Sequence, residues 1–99
     1  MRIDYRIFEE ITLCRTRDYT ISMDNQIERD QAPHIHVARR NNRIASVSIY
    51  DEKALAGRIP REIRRDLEFW IDRNRSKLLA DWDAMKHGRV RSSIEYQFG

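Results

Sequence analysis

Between Ile63 and Met85 the large apolar residues Ile63, Leu67, Trp70, Ile71, Leu78, Trp82 and Met85 recur at spacings of three, four or seven, apart from the adjacent pair Trp70-Ile71. An α-helix turns once in about 3.6 residues, so this spacing gathers them on one stripe. No other feature constrains the chain as strongly, because an apolar helical stripe must be buried against a complementary layer. The preceding residues have a different period. Tyr19, Ile21 and Met23 alternate with Thr20 and Ser22, and residues 44–50 are rich in β-branched side chains. Period-two alternation is the mark of a half-buried strand. The expected fold class is therefore α+β: a small antiparallel sheet of about four or five strands packed on one long or two short C-terminal helices.

Local signals divide the chain further. Ile3, Tyr5 and Ile7 alternate, Ile11 and Leu13 continue their phase, and residues 15–18 read as a turn into the Tyr19 strand. These make a first hairpin. Residues 24–31 are polar and aperiodic, and read as a loop beside rigid strands, where sites tend to lie. Ala32-Pro33 forces an extended backbone into a strand from His34 to Arg39. Asn41-Asn42 signals the next turn. Residues 51–58 form a connector punctuated by Gly57, and Pro60 suits a first helical turn. Asn74 interrupts the helical stripe and Ser76 is an N-cap type, so the helix is either continuous or broken near 74–76. Lys86, His87 and Gly88 suit a helix C-terminus. In the tail, Val90, Ile94, Tyr96 and Phe98 share a phase, as in a final strand or docked segment.

A chain of 99 residues with 40% hydrophobic content fits one domain, residues 1–99, with one core. Nineteen Lys and Arg against sixteen Asp and Glu give a net charge of only +3, a milder imbalance than a dedicated nucleic-acid binder usually shows. Cys14 is the single cysteine, which rules out an intramolecular disulfide and a thiolate metal cage and fits a buried apolar position. No apolar run approaches the roughly 20 residues of a membrane span. The opening MRIDYRIFEE is broken by charges and lacks a signal-peptide core, so a cytoplasmic location is expected.

The chemistry-bearing motif is Pro33-His34-Ile35-His36-Val37. In a strand, residues i and i+2 face the same way, so His34 and His36 project side by side. Such a pair can hold a divalent metal, with Asp24, Glu28, Asp30 or His87 as third ligand. It can act as the general acid and base of phosphodiester cleavage. It can equally serve structure by hydrogen-bonding its neighbours.

Hairpin register separates these readings. A two-residue turn at Asn41-Asn42 sets His36 opposite Val47 and His34 opposite Ile49, on an apolar face. A three-residue loop, residues 41–43, sets Val37 opposite Val47 and Ile35 opposite Ile49, and groups the His pair with Ser46, Ser48 and Tyr50. The second register keeps the alternation and is the one expected. Arg39, Arg40 and Arg43 cluster at the hairpin tip as a candidate surface for phosphate or an acidic protein. The helix charges interleave, with pairs such as Glu68–Arg64 and Asp72–Arg75, as on a solvated face.

Several blocks together resemble a bacterial family, domain of unknown function 4160. They are Ala-Pro-His-Ile-His-Val, then Leu55-Ala-Gly-Arg-Ile-Pro60, then Glu68-Phe-Trp-Ile71, then residues 74–82 with Leu78-Leu79 and Trp82. The resemblance covers about residues 19–88. Ala32 and Ile35 replace a common Pro and a common aromatic, and the family's frequent Asp-His before the motif is absent. The resemblance implies a component linked to toxin–antitoxin-like modules or mobile elements. The expected function is a module that binds a protein partner, a second copy of the chain included, or a nucleic acid, through the His-x-His strand and the basic hairpin, without a membrane. The alternative is a ribonuclease or phosphodiesterase using His34 and His36. No cofactor is expected beyond a divalent metal at that pair.

Overall fold

The computed structural model describes residues 10–25 and 31–88. Five strands, β1 (Glu10–Arg15), β2 (Tyr19–Asp24), β3 (His34–Arg39), β4 (Asn42–Ser48) and β5 (Ala54–Gly57), form one antiparallel sheet in the order β1-β2-β3-β4-β5. One helix, α1 (Arg61–Lys86), follows. The α+β expectation therefore holds, including the sheet size and the C-terminal helix. The candidate strands at residues 3–8 and 90–98, and most of the loop at 24–31, lie outside the described residues.

The core joins the odd-numbered face of the sheet to the helical stripe. Ile21, Met23, Ile35, Val37, Val47 and Ile49 are fully buried together with Leu67, Trp70, Ile71 and Leu78. Burying one such side chain stabilises the fold by about 1.5–3 kcal/mol, so this layer carries most of the stability.

The helix is continuous through residues 74–76. Asn74 stays helical by donating its Nδ2–H to the carbonyl of Trp70 at 2.9 Å, the local bond a polar residue can make without leaving the helix. Pro60 occupies the N-cap position, one residue before the first turn. At the other end Gly88 adopts φ +71° and returns its N–H to Met85 O, which ends α1 where the sequence places it. Arg75 fastens the helix to the β4–β5 connection. Its Nε donates to Ile49 O at 2.9 Å, and its guanidinium also meets Asp72 and Glu52.

Two local readings change. The connector at 51–58 contains β5, a short strand whose four residues are all exposed, so no burial pattern announced it. The β3–β4 turn is the two-residue Arg40-Asn41, in place of the three-residue loop expected at 41–43. Both residues have positive φ, +49° and +69°, which defines the type I′ hairpin turn. Arg is not a usual residue there, so Asn41-Asn42 was the stronger sequence signal.

Candidate functional site

The pairings Thr12↔Ser22, Ser22↔His36 and His36↔Ser46 put these four side chains in one row across the sheet, on the face opposite the core. The next row is Arg15, Thr20, Ala38 and Arg43. The expected face is thus the observed one: the His pair lies with Ser46 and Ser48, while Ile35 and Val37 point into the core. The register differs from both alternatives. His36 faces Ser46 and His34 faces Ser48, two residues from the favoured pairing, and exposed Tyr50 is not part of the row.

The difference arises from a β-bulge. Between Val37↔Ala45 and Ala38↔Arg43 the β4 strand carries one extra residue, Ile44. A bulge re-aims the side chains beyond it. Here it turns Ile44 partly toward the core and brings Arg43 onto the His face. A second bulge in β1 lies between Thr12↔Ser22 and Cys14↔Ile21. It lets Leu13 and Cys14 both enter the core, at 1% and 2% exposure, and switches Arg15 to the same face as Thr12. Each bulge therefore delivers one arginine to the same row.

Gly57 underpins the β4 bulge. It has φ +70°, Arg58 N–H donates to Ile44 O at 3.1 Å, and a Cβ on Gly57 would lie 2.0 Å from that same oxygen. Only glycine lets the β5 backbone approach so closely.

A polar chain links the strands beneath this face. Buried His36 sets its Nε2 3.3 Å from Oδ2 of buried Asp24 and its Nδ1 3.1 Å from Ser46 Oγ. A carboxylate can only accept, so Nε2 carries the proton and Nδ1 accepts from the Ser46 hydroxyl. The imidazole is held neutral at physiological pH. Burial, then the nearby Arg43 guanidinium, keep its pKa below the ordinary histidine value against the opposing pull of Asp24. Arg43 meets Asp24 at 2.5 Å and Glu10 at 2.8 Å, and Ser22 Oγ donates to Glu10 at 3.2 Å.

His34 is fixed as the other tautomer. Its Nδ1–H donates to Ala32 O at 2.9 Å, which leaves the lone pair on Nε2, an atom with no hydrogen-bond partner among the described residues. Its ring stands edge-on to His36, with centroids 5.0 Å apart, and 4.8 Å from the ring of Trp82. Trp82, read from sequence as core, thus also walls the motif.

The other sequence candidates separate. Arg39 lies on the core-side phase and sits 5.8 Å from the Tyr19 ring, whose hydroxyl donates to Glu62. Arg40 is at the turn, and Arg43 is on the His face. Of the proposed third metal ligands, Asp24 reaches His36, Glu28 and Asp30 lie outside the described residues, and His87 caps α1 at Asp83. Among the described residues no three His, Cys, Asp or Glu side chains are placed to hold a metal ion.

Beside the chain of hydrogen bonds lies a cleft of about 390 Å³ lined by Glu10, Thr12, Arg15, Thr20, Ser22, Ala38, Asn41 and Arg43. Ala38 is the small residue in its row and leaves the space. Sequence reasoning missed Arg15, Glu10, Thr12, Thr20 and Asn41 as a group. Arg15 read as a turn residue, and only a bulge places it here. The signal was the apolar pair Leu13-Cys14 inside an alternating strand, which a bulge accommodates and a regular strand does not.

The family model described as a domain of unknown function, DUF4160, matches residues 19–83, more than half of the chain, and the chain belongs to that family. No curated protein and no solved structure matches it. No helix among the described residues is long and apolar enough to cross a membrane.

Proposed function

We propose that the chain is a nucleic-acid-binding module that engages single-stranded RNA through the His-bearing face and the basic β3–β4 hairpin. We place it in the cytoplasm, as a component of a toxin–antitoxin-like or mobile-element-associated system, a setting the family resemblance supplies. The observation that carries the binding reading is the engagement of His36 at both nitrogens, with Asp24 and Ser46. A ring so tied is a strut, and a proton-transfer role would first have to break one of these bonds. Beside the strut the cleft presents Arg15 and the hydroxyls of Thr12, Thr20 and Ser22, groups suited to phosphate and sugar, and Arg40 stands at the hairpin turn.

The test is fluorescence anisotropy of a labelled mixed-sequence single-stranded RNA. Binding is expected at about 50 mM salt and should weaken steeply as salt rises. Loss of Arg40 together with Arg15 should weaken it at least about tenfold. No binding at low salt would sink the proposal. A copurifying protein in place of RNA would move the module to the protein-binding class.

A second reading is favoured by one observation, the lone pair of His34 Nε2, which no described residue occupies. On that reading His34 and His36 serve a ribonuclease or phosphodiesterase, with or without a divalent metal. It requires RNA cleavage that the His34→Ala variant loses without loss of thermal stability, and stoichiometric zinc or nickel in a chelator-free preparation if a metal takes part.

A further inference from the structure

We infer that the cleft between the two bulges is a pocket for a single ribonucleotide, with Arg15 as its phosphate contact. The inference rests on the nucleic-acid reading above and names the site and the chemistry that reading leaves open.

Charge decides the ligand class. Arg43 is held by two carboxylates, Asp24 and Glu10, so these three groups together carry one negative charge. His36 adds none, because its ring is held neutral. Arg15, exposed and with no ion pair among the described residues, brings the sum over these described groups to zero. A bare polyanion gains little in a balanced cleft. A ligand with one negative group and several neutral donors and acceptors gains more.

The lining offers the matching contacts. Arg15 supplies a bidentate donor for one phosphate. Thr12, Thr20 and Ser22 present hydroxyls, and Asn41 presents an amide. Glu10 accepts from Ser22 and Arg43 through Oε2, which leaves Oε1 open, among the described residues, to accept from a ribose hydroxyl or a base amino group. A volume of about 390 Å³ lies at the small end of ligand pockets and suits one nucleotide. A ribose fits better than a deoxyribose, since the 2′-hydroxyl can both donate and accept beside so many polar groups.

The arginines reach this place through irregularities in two different strands. Bulges commonly re-aim side chains near sites. The β4 bulge is fixed further by the approach of Gly57. Arg43 has structural partners in Asp24 and Glu10, but Arg15 has no ion pair among the described residues, and packing the core does not require it on this face.

The experiment is amide-resolved NMR titration of the full chain with AMP, UMP, dAMP, inorganic phosphate and a tetraribonucleotide. AMP, UMP and the tetraribonucleotide should shift the amides of Thr12, Arg15, Thr20, Ser22 and Asn41. Phosphate and dAMP should bind several-fold more weakly. Arg15→Gln should weaken AMP at least about tenfold, the loss of one charged bidentate contact. Arg64→Gln, on the exposed side of α1, should leave it unchanged. AMP binding without RNA binding would uphold the pocket and overturn the nucleic-acid module. RNA binding whose shifts avoid the cleft, and which Arg15→Gln leaves intact, would overturn the pocket and uphold the module. Phosphate binding as tightly as AMP would overturn the nucleotide assignment. No response to any ligand would overturn both.

Discussion

The two faces of the sheet share the same five strands and are organised by different forces. On the helix side, Ile21, Val37, Val47 and Ile35 are buried in one apolar cluster with Leu67, Trp70 and Leu78. That face follows the plain alternation of the sequence. On the other side, His36, Asp24, Ser46, Arg43 and Glu10 are joined by directional bonds, and a bulge in β4 departs from the alternation to add Arg43, as the bulge in β1 adds Arg15 to the same face. Burial and packing account for the first face. They do not account for Arg15 on the second, which is exposed and makes no ion pair among the described residues, and its placement is what points to a ligand.

Substitutions can pull the two faces apart. The largest effect is expected at Trp70, fully buried at the centre of the helical stripe. Trp70→Ala should destabilise by about 3–5 kcal/mol, as urea denaturation would report, and for a domain this small that approaches complete unfolding. Gly57→Ala comes next. Its Cβ would meet Ile44 O at 2.0 Å in a backbone with φ +70°, so a loss of at least about 2 kcal/mol is expected. If the β4 bulge instead rearranges to make room, the cleft should lose Arg43 and its ligand while the core survives.

Asp24→Asn removes a buried carboxylate shared by His36 and Arg43. A loss of roughly 1–3 kcal/mol is expected by the same denaturation assay. A neighbouring test uses pH. Because the folded-state pKa of His36 is depressed, the unfolded chain takes up its proton first as pH falls. The stability from His36 is fully present above about pH 6.5 and is lost as pH falls from there through the lower folded value. The denaturation midpoint should therefore drop between about pH 7.5 and 5.5. His36→Gln should make that drop smaller, despite Asp24, Arg43, His34 and Glu10 remaining around the site. The smallest stability effect belongs to Arg15. Arg15→Gln should change stability by no more than about 0.5 kcal/mol, because the residue is exposed and makes no ion pair among the described residues.

The same contrast explains what was legible beforehand. Period 3.6 in residues 63–85 and period two in Tyr19–Met23 and Ile35–Val37 depend only on which side chains avoid water, and both were readable. The His pair's face followed from that alternation. The register did not, because a type I′ turn at Arg40-Asn41 and one extra residue at Ile44 shift the pairing without disturbing the apolar pattern. β5 was invisible for a related reason: all four of its residues are exposed, so it is defined by its hydrogen bonds to β4 and not by burial. The cleft was the least legible part. It needs Arg15 and Arg43, 28 positions apart, to be turned onto one face by separate bulges.

The central claim is that the His-bearing face binds a ligand through residues the fold does not need. The most direct measurement titrates labelled single-stranded RNA into the wild-type chain and into Arg15→Gln, with the thermal midpoint of each recorded in the same buffer. Arg15→Gln should lose at least about tenfold in affinity with an unchanged midpoint. Equal affinity of the two proteins, or a fall in midpoint that matches the loss of binding, would contradict it.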